Sequence, residues 1–190
     1  MTEAEPPVFT APAEAYHCDE CGYDYGEVTA ADAVAGIREL GRRFEVPLTR
    51  GLKGEALDDL LRAHPLEGTW SALEYACHVR DVLSVQRERV VTALVEDGYA
   101  PKPMGRDERA VRERYNEQDP AVVVGELTAN ATALADAFDA LSPDEWARTM
   151  TYNYPAPAVR DLEWVAIHTL HEGRHHLLDV GRVLRGARGR

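Results

Sequence analysis

The chain has little of several things, and each shortage excludes a class of protein. Positive charge is scarce: 21 Lys and Arg face 33 Asp and Glu, a formal net charge of -12 across 190 residues. A general nucleic-acid binder needs a basic face to neutralise phosphates, so that class is excluded. No apolar run approaches the roughly 20 residues that span a bilayer, so no membrane segment is expected. Three cysteines, Cys18, Cys21 and Cys77, cannot make a disulfide framework. There is no Gly-x-Ser-x-Gly elbow for a serine nucleophile and no internal repeat. Met1–Pro12 is acidic and Pro-rich, without the basic and apolar regions of a secretory signal, and the expected location is the cytoplasm. Lysine occurs at Lys53 and Lys102 alone, while arginine, alanine, valine and glycine are plentiful, a codon bias of GC-rich genomes.

What remains is an ordinary globular composition, 45% hydrophobic and 28% charged, long enough for one domain with a real core. Residues 1–28 read as an irregular arm carrying a Cys-x-x-Cys. From residue 29 to 190 the pattern is helical. Thr29 caps a first helix with Val34, Ile37, Leu40 and Phe44 on one face, and Pro47 is expected to stop it. A shorter stretch covers residues 52–62. Thr69 or Ser71 caps a second long helix from Trp70 to about Glu96, with Gly98 behind it. A polar connection with a helical turn near residues 107–115 leads to a third long helix, from Pro120 to about Leu141. Ser142 caps a short helix through Ala147. Residues 149–157 form a loop or short extended segment, and a fourth long helix runs from about Val159 to Leu184. No alternation lasts long enough to build a sheet. The expected fold is all-α, a four-helix bundle with an irregular N-terminal arm.

Four of the seven histidines fall within His168–His176 on the fourth helix. Two i,i+4 pairs compete there as ligands, His171 with His175 and Glu172 with His176. At about 100° per residue, with Ala166 at zero, Leu170, Gly173, Leu177, Val180 and Leu184 cluster within roughly 40° and mark the core face. Glu172 and His176 fall near -120° and -80°, beside Val165 and Val183 at about -100°, and so point inward. His171 and His175 fall near 140° and 180°, toward solvent or the arm. On the second helix His78 shares a face with Val82 and Val85. His78, Glu172 and His176 therefore form a candidate site for one divalent metal between helices, against the alternative of core histidines satisfied by local hydrogen bonds. The donor set suits zinc first, with iron, manganese or nickel as alternatives, and an open fourth position makes it catalytic. Asp81 is placed to orient an imidazole, with a surface salt bridge or cap as the alternative. Arg80, Arg89 and His168 are candidates for an anionic substrate, with solvated roles favoured. Trp70, Tyr75 and Trp164 line a pocket or pack in the core. Cys77 reads as a small buried hydrophobe.

The run Trp70-Ser-x-x-Glu74-x-x-x-His78-x-x-Asp81, with Glu172-x-x-x-His176, resembles the DinB/YfiT-like family of metal-binding four-helix bundles. The resemblance extends from about Ala31 to Leu184. Glu172, where many members have His, resembles the branch of the mycothiol-dependent maleylpyruvate isomerases. The resemblance implies a metal held by His78, Glu172 and His176. It further implies a thiol S-transferase or thiol-dependent isomerase that uses bacillithiol, glutathione or mycothiol as co-substrate. In that mechanism the metal lowers the thiol pKa and the thiolate attacks an electrophilic small molecule. Mycothiol fits the GC-rich composition. A homodimer is compatible with it.

The Cys18-Asp-Glu-Cys21-Gly22 run resembles half of a zinc knuckle, two ligands of four. His17, or His171 and His175, would complete a second zinc site. A redox pair lacks its βαβ context, and two reduced thiols in a flexible arm are the plain alternative. Competing functions are a non-catalytic metal-binding stress-response protein and a metal-dependent hydrolase or oxygenase, because two His and a carboxylate serve either chemistry.

Overall fold

The structure, a computed structural model, describes residues 17–153 and 157–189. The expectation for Met1–Pro12 lies outside them. The helices are α1 (Ala30–Arg38), α2 (Leu40–Thr49), α3 (Leu57–Arg62), α4 (Ala72–Ala93), α5 (Arg106–Arg112), α6 (Pro120–Asp139), α7 (Pro143–Trp146) and α8 (Leu162–Ala187). Their starts follow local chemistry. Thr29, Ser71 and Ser142 form reciprocal capping boxes with Asp32, Glu74 and Glu145. Asp119 caps α6 ahead of Pro120, whose missing N–H costs nothing in a first turn.

Several boundaries differ from expectation, three of them before residue 60. The first helix is two, interrupted at Glu39, because its halves serve different neighbours: α1 packs on α8 and α6, α2 mainly on α6. Pro47 does not stop α2. It sits in the last turn, and the helix continues to Thr49, where Arg50 N–H bonds Val46 O at 3.1 Å. Residues 52–56 are a turn, not the start of α3: Gly54 takes a left-handed φ of 87°, and the Glu55 carboxylate accepts from Leu52 N–H at 2.8 Å.

Two small antiparallel hairpins also form, contrary to the expected absence of sheet. In the arm, β1 (His17–Cys18) pairs with β2 (Tyr23–Asp24). Beyond α7, β3 (Thr149–Tyr152) pairs with β4 (Ala158–Asp161), Thr149 opposite Asp161 and Tyr152 opposite Ala158. That pairing claims residues 158–161, so α8 begins at Leu162, capped by the Asp161 carboxylate on Trp164 N–H at 2.8 Å.

The long helices form a four-membered bundle, with α1–α2 as one broken member. α6 and α8 each touch both α1–α2 and α4, so α1–α2 stands diagonally across the core from α4, and α6 from α8. The connections carrying α3 and the second hairpin cover those diagonals. Ile37, Leu40, Phe44, Leu73, Leu83, Leu127, Leu134, Phe138 and Val180 fill the interior. Close helix crossings need glycine. A Cβ on Gly173 would lie 2.5 Å from Leu40 Cδ1, and one on Gly41 would lie 2.8 Å from Thr128 Cα. Among the described residues no helix is long and apolar enough to cross a membrane.

Candidate metal centre

α4 and α8 lie side by side, and their facing turns bring His78, Glu172 and His176 together. One ligand atom from each lies within 4.8 Å of the others. Glu172 Oε2 is 3.9 Å from His78 Nε2 and 3.7 Å from His176 Nε2. These separations exceed hydrogen bonds. They approach the about 3.4 Å between two ligands that each stand about 2.1 Å from a tetrahedral ion. The imidazoles of His78 and His176 meet edge to face, centroids 4.9 Å apart. Trp70 and Tyr75 pack on them: Tyr75 stacks on His176 and Trp70 tilts over His78.

Electrostatics prepare two of the three groups as ligands. Burial pushes the Glu172 carboxyl up, but the His176 and His78 imidazoles on the same oxygen outweigh it and hold its pKa well below the ordinary value. Burial lowers the pKa of His78, which keeps its imidazole neutral. His176 goes the other way. Burial opposes its charge, yet Asp179 and Glu172 raise its pKa to about 9. Any cation binding there displaces that proton. His78 Nδ1 is buried and has no hydrogen-bond partner among the described residues.

Asp81 does not orient His78. It accepts from Arg80 Nε at 2.8 Å, Tyr115 OH at 2.6 Å and Arg109 Nη1 at 3.3 Å, a buried knot that ties α4 to α5 and to the single turn at Tyr115–Glu117. Spacing alone would allow the contact, but these three donors occupy the carboxylate. The orienting carboxylate is Asp179, whose Oδ2 is 3.1 Å from His176 Nδ1 and whose Oδ1 accepts from Arg182 at 3.0 Å. Its place one turn beyond His176 is a signal readable in the sequence.

The centre opens on a cleft of about 640 Å³. Val82, Val85, Tyr152 and Trp164 supply apolar wall, and Arg89 and Arg160 supply positive charge. Arg160 stacks over Trp164 at 4.7 Å and Arg89 over Tyr152 at 5.6 Å. Arg89 also donates to Lys102 O at 3.1 Å. Arg80 is not solvated as expected: it is buried and spent on Asp81, Glu126 and Gln118. His168 is buried too. Its Nε2 lies 3.8 Å from Glu172 Oε1, its Nδ1 lies 2.6 Å from Tyr25 OH, and burial drives its pKa down to about 4. Cys77 is a buried thiol raised to about 12 by desolvation, as suits a core residue.

The outer pair, His171 and His175, meets the arm, with His171 buried and His175 half-buried. His171 lies against Tyr23 and Tyr25, and Cys18 Sγ is 3.6 Å from His175 Nδ1. Cys18, Cys21, His171 and His175 form a second group of convergent donors. His17 is not among them; it is exposed and pairs with Asp24 at 3.7 Å.

With this geometry in view, residues 47–180 match the sequence profile of the DinB superfamily. The chain belongs to the DinB superfamily. Its fold is similar to that of YfiT from Bacillus subtilis, described as "a probable metal-dependent hydrolase with an unusual four-helix bundle topology". The two superpose with a TM-score of 0.69 over 80% of this chain and 86% of YfiT, at 15% identity. A comparison with curated proteins finds no match. In this DinB-superfamily chain the expected ligand residues of α4 and α8 stand together in the lining of one cleft.

Proposed function

We propose that this DinB-superfamily protein is a metal-dependent enzyme that carries one divalent cation, zinc first, on His78, Glu172 and His176. It activates a low-molecular-weight thiol, mycothiol first, for attack on an electrophilic small molecule. The observation that carries this reading is the convergence of those three donors in the lining of the cleft. The donor set fits the ion. Two imidazoles and one carboxylate match catalytic zinc sites, and Glu172 and His78 already stand in their ligand protonation states. A bound cation would supply the Lewis acidity that lowers the pKa of a thiol or water beside it.

The protein's own groups do the rest. Asp179 fixes the His176 ring so that Nε2 faces Glu172. Arg89 and Arg160 give the wall a charge that holds a carboxylate-bearing substrate or thiol. Trp164 and Tyr152 form the apolar side and exclude water from the reacting atoms. The cleft volume lies within the range of small-molecule sites, about 300–1,000 Å³. In the transfer step the thiol gives up its proton, a sulfur–carbon bond forms, and the electrophile loses its leaving group or, for an isomerase, later expels the thiolate.

A second reading, metal-dependent hydrolysis, is favoured by the description of YfiT, and the same donors would then serve a water. Reconstituted protein incubated with mycothiol and an alkylating electrophile separates the two. Zinc-dependent loss of free thiol that Glu172→Ala abolishes supports transfer. Hydrolysis of an amide or ester panel without thiol supports the second reading. Neither activity in fully metallated protein would leave a non-catalytic metal binder.

A further inference from the structure

The Cys-x-x-Cys of the arm is the motif that the cleft chemistry leaves unused, and the fold carries it to α8. Cys18 ends β1, and the turn through Cys21 and Gly22 leads into β2. Gly22 sits at a left-handed φ of 71° and donates its N–H to Cys18 O at 2.7 Å, which curls the turn tightly between the two thiols. Both thiols are free. They meet His171 and His175, one helical turn apart, with one ligand atom from each of the four residues within 4.8 Å of the others.

We propose that Cys18, Cys21, His171 and His175 form a second, closed metal site of Cys₂His₂ type, suited to zinc, which fastens the N-terminal hairpin to the last helix of the bundle. The spacing within each half, two residues between the cysteines and three between the histidines, is that of tetrahedral zinc sites. Here the halves come from opposite ends of the chain. Two thiolates and two neutral imidazoles cancel the charge of a divalent ion, which matters where Cys18 and His171 are buried. The thiols lose their two protons to solvent and no oxidant is needed. Four donors fill a tetrahedron, so the site has no open position and its role is structural, unlike the three-donor centre.

The remaining nitrogen of His171 is held as that of a ligating histidine is held, and that of His175 faces two carboxylates at ion-pair range. His171 Nδ1 is 3.0 Å from Tyr25 OH, and His175 Nε2 is 3.6 Å from the carboxylates of both Glu20 and Asp179. The arm hairpin has two-residue strands, too short to persist alone. A metal anchor gives it a reason to be ordered.

The anchor also reaches the cleft. With His171 Nε2 ligating, Nδ1–H donates to Tyr25 O, and the Tyr25 hydroxyl is left to donate to His168 Nδ1 at 2.6 Å. His168 then carries its proton on Nε2, the atom 3.8 Å from Glu172 Oε1. The arm site thus sets the tautomer of a histidine beside the cleft centre, and Asp179 lies between His175 of one centre and His176 of the other.

Cobalt substitution of the full chain under reducing conditions tests this. The expected result is two cobalt equivalents and a near-ultraviolet thiolate-to-cobalt band with intense tetrahedral d–d absorption. Cys18→Ser should lose the thiolate band and one equivalent while helical circular dichroism is kept. His78→Ala should lose one equivalent and retain the band, so the two centres are read separately. Cys77→Ser should retain it as well, which assigns the band to the arm sulfurs even if Cys18→Ser fails to fold. A wild-type protein with no thiolate-to-cobalt band, a band abolished by Cys77→Ser, or a metal-free protein with a Cys18–Cys21 disulfide would overturn the proposal.

Discussion

Asp179 Oδ2 stands 3.1 Å from Nδ1 of His176, so the carboxylate decides which imidazole nitrogen faces Glu172. Removing that charge leaves the three cleft donors in place but frees the ring. Asp179→Asn is expected to weaken zinc binding at the cleft about 10- to 100-fold without loss of helix content. Titration against a chelator of known affinity measures it; unchanged affinity would remove Asp179 from the centre.

Asp81 links α4 to Arg109 of α5 and to Tyr115. Burial raises its pKa, but the bonds from Arg80 and Tyr115 prevail and hold it below the ordinary value. A carboxyl with a depressed folded-state pKa contributes stability that is complete above its unfolded value of about 3.9 and is lost as pH falls through the folded value. Asp81→Asn should therefore cost about 2 to 3 kcal/mol at pH 7, with the gap to wild type narrowing below about pH 4. Urea unfolding at the two pH values checks both halves of the statement.

Two helical glycines should respond oppositely to alanine. At Gly41 the new Cβ meets backbone, Thr128 Cα at 2.8 Å, and α2 must move off α6. Gly41→Ala is expected to lower stability by about 1 to 3 kcal/mol despite its better helix propensity. Gly125, exposed on α6, has nothing within 4 Å of an added Cβ. Gly125→Ala should stabilise by about 0.5 to 1 kcal/mol. Thermal unfolding of both variants gives the comparison, and a shift of the same sign in both would contradict it.

Tyr25 is buried, and its hydroxyl lies 2.6 Å from Nδ1 of His168. Tyr25→Phe leaves that buried nitrogen without its hydroxyl partner. A loss of about 1 to 3 kcal/mol is expected by chemical denaturation, together with faster proteolysis of the arm.

The amino-acid sequence alone determined the helices and their inward faces. Capping at Thr29, Ser71 and Ser142 acts over three residues, and a period of 3.6 put Glu172 and His176 beside Val165 and Val183, which the fold buries. His78 was legible for the same reason, through Val82 and Val85 one and two turns on. Local rules misjudged Pro47, and they placed the start of α8 too early, because pairing of β4 with β3 is decided across a loop and not within a segment. They offered Asp81 either an imidazole or a surface salt bridge or cap, since its true partners Arg109 and Tyr115 arrive from a separate connection. Tertiary structure alone decided which helices are neighbours, and with that the cleft, the presence of both Arg89 and Arg160 in its wall, and the meeting of Cys18 and Cys21 with His171 and His175. Those contacts join residues far apart in the chain, and their geometry is fixed by how helices pack, which no short-range periodicity encodes.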